Sequence, residues 1–429
     1  MLPNCRQNDY LYDIPKFDLR ETDVDDFMNE YRGYHEIFGD CFHRSESREH
    51  FFKYMAGQFS DAERKSIEPI ALKVEDGKVR PMQRFVSDAE WDDKKMLSKF
   101  RNEVETDMGD PNGVLIFDET GFPKKGNHSV GVGRQYCGSV GKVDNCQVGV
   151  FAAYASPMGY ALIGHRLFVP EKWFEKNYKK KRKKCDMPED LTFKTKPQLA
   201  SEMFDEIKEE GTLPFKYVVA DTVYGTSPDF MAPLEDIPDI TYFVSVPRDT
   251  LCWLKMPVVE EKEYRYRGEA RTKTVLGKNE KKPISVSELA GNTNDYYWYE
   301  RTVSEGAKGP IAYEFSKRRV VLSMDGLPDR TVWLVMKRTI SEEPVYYYYI
   351  SNAFLSTRLA TFVWLSGVRW AIEQCFEETK SELGMDHYEV RKHQGWYHHI
   401  LTCMLGHFFL WHLKIKLGEK NTVCYALAA

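Results

Sequence analysis

The 429-residue sequence has no two cysteines at Cys-x-x-Cys spacing. Its nine cysteines are scattered, Cys137 and Cys146 are the nearest two, and no histidine pair follows them at zinc-finger spacing. A structural zinc module is therefore not expected. An odd thiol count without a framework reads as reduced cysteines in a cytosolic protein. Also missing is the run of ~20 apolar residues that a membrane span needs. The most apolar stretch, Ile400 to Leu413, is shorter and is interrupted by Thr402, His407 and His412. The opening segment, Met1 to Lys16, is polar and carries acidic residues, unlike a signal or transit peptide. Gly131 to Gly141 is glycine-rich but lacks the Gly-Lys-Ser/Thr of a P-loop, so nucleotide hydrolysis is not supported. No internal repeat is evident. These absences predict a soluble, intracellular protein.

What is present is a chain long enough for two or three packed units. Its residues are 42% hydrophobic and 14% aromatic, enough for a substantial core, and 29% charged, near the globular average. The formal net charge of −5 does not exclude nucleic acid, because binding follows local clusters rather than the sum.

Four zones are legible. Residues 1–108 read as helical, with apolar positions such as Phe51, Phe52, Tyr54, Met55 and Phe59 at helical spacing. After the turn Asp110-Pro111-Asn112-Gly113, residues 109–247 read as mixed α/β. Val114 to Phe117 is an unbroken apolar run ending in Asp118, as for a strand buried on both faces. Gln147 to Tyr154 and Tyr160 to Val169 read as strands joined by a turn at Ser156 to Gly159. Thr195-Lys196-Pro197 opens a helix that stops at Gly211. Tyr217 to Ala220 is a second buried strand ending in an aspartate, Asp221, and Tyr242 to Val246 a further strand. Residues 248–350, rich in Val, Thr, Tyr and Trp, read as a β-rich insertion. Residues 351–429 are helical again, with Ser356 placed to cap a long helix that stops near Gly384.

Phosphodiester hydrolysis with two magnesium ions needs hard oxygen ligands, with the ions ~4 Å apart about an in-line displacement. Carboxylates at the ends of neighbouring strands, joined by a third from a helix packed across them, supply such a site. Asp118 and Asp221 suit the first half of that design. On the helix, Val368, Ile372, Cys375, Phe376, Thr379 and Leu383 make the apolar stripe, while Arg369, Glu373 and Lys380 share an adjacent face. Each aspartate alone is more often a turn or cap residue, and a helix-face glutamate is more often solvated. Their order, strand-Asp, strand-Asp, helix-Glu with basic neighbours, is what points to chemistry. Spacing leaves Glu377 and Glu378 as rivals for the third ligand.

The residues also carry a resemblance. Arg369-x-x-x-Glu373, followed seven residues on by Lys380, resembles the Arg-Glu-Lys part of the Tyr-Arg-Glu-Lys signature of DDE insertion-sequence transposases. Val114 to Gly126, Arg134 to Val148, Val219 to Gly225 and Arg369 to Trp396 resemble segments of one branch of that family, and Met82 to Trp91 does so more weakly. The resemblance spans nearly the whole chain, with its motifs in family order. It implies a DNA-binding role for the helical residues 1–108, in which no recognition helix can be located, and an RNase H-like catalytic domain with a β-rich insertion before the last catalytic helix. It implies Asp118, Asp221 and Glu373 as the metal triad holding two Mg²⁺ ions, with Mn²⁺ able to substitute, and Arg369 and Lys380 on DNA. The implied reaction is cleavage at transposon ends and strand transfer into target DNA, by a homodimer or larger assembly on double-stranded DNA, in the cytoplasm at the nucleoid. One departure stands out: the signature tyrosine is Ser366 here, which removes any phosphate contact expected of a tyrosine there. Two alternatives stay open: an RNase H-like endonuclease without strand transfer, and a transposase-derived DNA-binding protein recruited to another role.

Other residues extend the DNA-binding set. Lys179 to Lys184, with Lys180, Lys181 and Arg182 at its centre, is a basic block expected in a loop, where it is either solvated or set against phosphates. Lys124 and Lys125 follow Asp118 closely enough to meet a phosphate. Trp370 is placed to stack on an unpaired base, although the protein interior is the commoner place for a tryptophan. His128 and His165 are expected to be structural rather than metal ligands.

Overall fold

Turn and cap chemistry sets most element boundaries in the computed structural model, which describes residues 21–267, 269–306 and 309–427. The opening segment Met1 to Lys16, read above as no targeting signal, lies outside the described residues. The chain forms two compact units, one of residues 21–216 with 370–427 and one of residues 217–369. The units therefore divide the chain differently from the four sequence zones.

The first unit begins with helices α1 (Glu21–Ile37), α2 (Ser45–Gln58), α3 (Ile67–Lys73), α4 (Val79–Ser87) and α5 (Asp93–Met108). The expected turn follows, with Asn112 N donating to Asp110 Oδ1 at 2.6 Å and Gly113 N to Asp110 O at 2.7 Å. Strands β1 (Val114–Pro123), β2 (Gly133–Cys137), β3 (Lys142–Ser156) and β4 (Gly159–Phe168) come next. All three partners of β3 run antiparallel to it. The β3–β4 turn is the expected one, with Met158 N on Ser156 Oγ at 3.1 Å. Helices α6 (Lys179–Lys184) and α7 (Lys196–Glu210) complete this stretch. Thr195 and Gln198 form a reciprocal capping box at the start of α7, and Gly211 ends it at φ 64°, a left-handed position that suits glycine.

The second unit contains β5 (Tyr217–Ala220), α8 (Thr222–Gly225), α9 (Pro228–Glu235), β6 (Thr241–Ser245) and β7 (Leu251–Trp253). A hairpin of β8 (Val259–Tyr266) and β9 (Glu269–Leu276) forms its own two-stranded sheet. Then come β10 (Ile284–Ser285), α10 (Val286–Gly291), β11 (Tyr299–Gly306), β12 (Gly309–Met324), β13 (Leu327–Thr339), β14 (Tyr346–Ser351) and α11 (Leu359–Val368). The expected β-rich insertion is thus present. It is built into the sheet of this unit, in the order β10-β7-β12-β13-β14-β6-β5 with β11 also paired to β12. β5 and β6 are parallel, while β6 and β14 are antiparallel.

The chain re-enters the first unit as α12 (Trp370–Leu383) and α13 (His393–Leu427). Ile400, Leu401, Met404, Leu405 and Phe408 of α13 are all buried. Each such side chain is worth about 1.5–3 kcal/mol relative to exposure, so packing rather than intrinsic propensity stabilises the middle of this helix. The N-terminal helices supply its surroundings. Tyr34 stacks on Phe409 with ring centroids 5.1 Å apart, Tyr54 Oη lies 2.7 Å from His399 Nδ1, and Trp91 lies flat on His398 at 3.8 Å. No helix among the described residues is long and apolar enough to cross a membrane.

Three expectations need correction. Asp118 does not end its strand: β1 runs on to Pro123, paired with β3 throughout, and Asp118 is its fifth residue. The apolar run is broken there by the half-buried pair Asp118 and Glu119, after which Thr120, Gly121 and Phe122 are buried again and the ladder continues. Lys179 to Lys184 is a short helix rather than a loop. The single helix expected from Ser356 is two, interrupted at Arg369, and its first cap position is Arg358, while the stop at Gly384 is found at φ 67°.

Candidate active site

Strand alternation decides which way the acids of β1 point. Glu119 faces α7, where Lys196 Nζ holds its carboxylate at 2.7 Å. Thr120 points the other way and accepts a hydrogen bond from Lys380 Nζ of α12 at 2.7 Å, and the Gly121 carbonyl accepts from the same ammonium at 3.3 Å. Asp118 has the parity of Thr120, so it belongs to the α12 side. Its cross-strand neighbour Phe151 meets Phe376 of α12 with ring centroids 5.2 Å apart. Asp118 is half-buried, and its Oδ1 accepts from Glu119 N at 2.8 Å.

The stripe expected on α12 is the buried one: Val368 of α11 and Ile372, Cys375, Phe376, Thr379 and Leu383 of α12 are all in the core. Lys380 lies at the edge of that stripe and is half-buried, and burial lowers its pKa. Glu373 is seven residues earlier, within about 20° of Lys380 around the helix axis, and is exposed at the helix start. The anchoring of Lys380 at Thr120 therefore places Glu373 on the edge of α12 that borders the Asp118 face. Glu377 is turned about 40° further from the packed side than Glu373. Glu378 is committed elsewhere. It accepts from Tyr160 Oη at 2.8 Å and Gln374 Nε2 at 3.0 Å and pairs with His407 Nε2 at 2.7 Å. Burial pushes its carboxyl up, and these partners outweigh that and hold it below the ordinary range.

In the second unit, Asp221 follows the last residue of β5 and caps α8, its Oδ1 accepting from Val223 N at 2.9 Å. The capping role weighed for it in the sequence is thus real, and it engages one carboxylate oxygen. Arg369 is the half-buried C-cap of α11. Ser366, at the signature tyrosine position, turns its hydroxyl back onto the Val363 carbonyl at 2.8 Å. Among the described residues, no group of three or more His, Cys, Asp or Glu side chains is disposed to hold a metal ion. The donor chemistry of Asp118, Asp221 and Glu373 is nonetheless the hard carboxylate oxygen that a divalent cation of the magnesium type selects.

The basic residues divide by what already holds them. Lys124 donates to the Tyr388 carbonyl at 2.9 Å, sits over the Tyr388 ring at 3.4 Å, and is pushed down to about 8 by burial. Lys125 is exposed. Within α6, Arg182 donates to the carbonyls of Trp173 and Glu175, and Lys181 lies over the Tyr178 ring at 4.8 Å, whereas Lys180 is exposed. Trp370 is 47% exposed rather than in the core. His165 is buried between Trp396 and Tyr397, and burial with the nearby Arg166 and Arg101 charges lowers it to about 3. The backbone carbonyl of His128 accepts from the Cys185 thiol at 3.2 Å. The roles of Thr120 and Gly121 in seating Lys380 were not found in the sequence. The signal available was the parity of Thr120 with Asp118.

A family model described as the DDE superfamily endonuclease matches residues 37–310. The chain belongs to the DDE superfamily endonucleases. The match to this DDE superfamily spans Asp118 and Asp221, while Glu373 lies beyond it. This DDE-superfamily chain is 24% identical over 365 residues to the probable transposase for insertion sequence element IS701 from Microchaete diplosiphon, covering 83% of this chain and 80% of that protein. It is also similar to the cryo-EM structure of a piggyBac transposase synaptic complex with hairpin DNA. That likeness has a TM-score of 0.42 and 8% identity, and it covers 86% of this chain and 66% of the other.

Proposed function

We propose that this DDE-superfamily chain is a DNA transposase that cuts DNA at the ends of a mobile element and joins them to target DNA. Asp118, Asp221 and Glu373 are the carboxylates we assign to its metal ions. The observation that carries the reading is the orientation of Asp118 toward the α12 side of β1, where the Lys380 anchor sets the edge of the helix bearing Glu373. Two Mg²⁺ ions, or Mn²⁺ in their place, supply charge stabilisation to the attacking and leaving oxygens of an in-line displacement. The protein's own contribution is positional. Lys380, tied to Thr120 and Gly121, fixes the rotation of α12 and hence the direction of Glu373. Arg369, Lys125, Lys180 and the exposed Trp370 are assigned to DNA, the cations to phosphates and the indole to a base. Lys124, Lys181 and Arg182 are given a supporting part, because each is already held by protein groups. Two DNA ends must be processed together, so the active species on DNA is a dimer or larger.

The test pairs Asp118→Ala and Glu373→Gln with the parent protein. Both variants are expected to bind duplex DNA as the parent does and to lose divalent-ion-dependent strand cleavage. Full cleavage by either would refute the assignment of the carboxylates. Strand transfer from pre-cleaved ends separates a transposase from an endonuclease: a parent that cuts but never joins is the latter.

A further inference from the structure

The β8–β9 hairpin is a feature that the proposed chemistry leaves unused. Its two eight-residue strands pair only with each other among the described residues, and every residue in them is exposed except the half-buried Val275 and Leu276. An isolated two-stranded hairpin is at best marginally stable in water, so a ribbon ~26 Å long that is exposed along both strands among the described residues is best explained by what it meets. The pairing register sorts its side chains onto two unlike faces. One face carries the rungs Lys262–Lys273, Tyr264–Arg271 and Tyr266–Glu269, with Glu260 and Val275 at the base. The other carries Glu261–Thr274, Glu263–Thr272, Arg265–Ala270 and Val259–Leu276.

The first face is organised around its cations. Lys273 lies over the Tyr264 ring at 5.6 Å, Arg271 over Tyr266 at 5.0 Å, and Arg267, at the turn, over Tyr266 at 5.4 Å. Glu269 touches Arg271 at 3.2 Å. Lys262 and Lys273 stand directly opposite each other, a like-charge rung that costs stability in a free hairpin. A polyanion laid along the ribbon turns that cost into attraction. On the opposite face, Thr274 Oγ1 donates to Glu261 at 2.8 Å, and Glu263 adds a second carboxylate against the single cation Arg265, so that side is net acidic and the less suited to phosphate.

We propose that the Lys262–Lys273–Arg271 face of this ribbon docks on the phosphate backbone of duplex DNA. The assignment rests on the transposase reading for the identity of the polyanion. Lysine and arginine over tyrosine rings, with no asparagine or glutamine on that face, fit backbone positioning rather than sequence readout.

The experiment uses the full chain and an unrelated 30-base-pair duplex, with binding measured from about 50 to 200 mM salt. Combining Lys262→Ala, Arg271→Ala and Lys273→Ala is expected to reduce the magnitude of the log Kd–log salt slope by roughly 2–3, at about 0.9 per phosphate contact. Affinity near physiological salt should fall on the order of tenfold. Glu261→Gln with Glu263→Gln should leave the slope as in the parent, and unchanged melting temperatures confirm that both variants fold. If the parent binds and cuts DNA while the triple variant keeps the parental slope, the ribbon proposal is overturned and the transposase reading stands. If the triple variant instead changes oligomeric state with its slope intact, the ribbon is a protein surface and the proposal fails. A parent that neither binds nor cuts DNA fails at the earlier step, and the ribbon assignment falls with it.

Discussion

Three glutamates within six residues of one helix show what a single side chain's surroundings decide. Glu373, Glu377 and Glu378 are equivalent as ligands by chemistry, and spacing could not rank them. Their surroundings differ: Glu378 is bound into a network with Tyr160, Gln374 and His407, and Glu377 is turned further from the packed side of the helix than Glu373, which is why the proposed function takes Glu373 as the ligand. Glu378→Ala should therefore destabilise the protein by about 1–3 kcal/mol, the cost of leaving buried polar partners unmatched. Glu377→Gln should leave both stability and cleavage near the parent values, whereas Glu373→Gln removes cleavage and spares the melting temperature. Thermal melting and a nicking assay on the three variants check this. Loss of cleavage in Glu377→Gln with cleavage retained in Glu373→Gln would transfer the ligand role. The network around Glu378 was not legible in the sequence because His407 lies 29 residues away and Tyr160 lies 218 away.

At the scale of elements, what could be read from the sequence depended on how local the cause was. The start of α7 at Thr195 and its end at Gly211 follow from side-chain and backbone chemistry within four residues, and both are found. So is the turn between β3 and β4. The continuation of β1 past Asp118 was hidden, because its cause is the β3 ladder, which pairs Glu119 to Pro123 with residues 146–150. The run of hydrophobic letters was broken by the two acids, although the polar and small residues beyond them, Thr120 and Gly121, are buried like the run itself. The helix break at Arg369 likewise has no proline to announce it, and Gly367, two residues earlier, is itself still helical. The capping box gives this scale its prediction. Thr195→Ala removes the acceptor for Gln198 N, at 3.3 Å, and should cost about 1 kcal/mol. Thr195→Ser should recover most of that loss. Urea unfolding of the two variants measures the difference, and equal midpoints for Thr195→Ala and the parent would show that the cap contributes nothing.

For the molecule as a whole, the first unit is closed by residues from both ends of the described chain. Tyr54 and His399 are 345 positions apart, and Val86 and His398 are 312 apart. Closure of this kind buries titratable groups that local sequence shows as ordinary polar positions of a strand or helix. His165 and His399 are each lowered to about 3 and His393 to about 4, in every case chiefly by burial. Their unfolded value is near 6.5. Between pH ~6.5 and the folded values, the unfolded chain therefore binds protons that the folded chain refuses. Stability is then greatest above the unfolded value and falls as pH is lowered through that window. Each histidine contributes a slope approaching 1.4 kcal/mol per pH unit, so the three together approach roughly 4 kcal/mol per pH unit. Glu378, held below its ordinary range, adds loss of the same sign further into acid. The melting temperature is accordingly expected to drop steeply between pH 6 and 5. His165→Gln, which cannot take up the proton when unfolded, should remove about a third of that slope whatever it does to the stability at pH 7. A melting temperature that stays level from pH 7 to 5 would mean that these histidines are not buried in the folded protein in solution, and the packing of the C-terminal helix against the N-terminal helices would have to be redrawn.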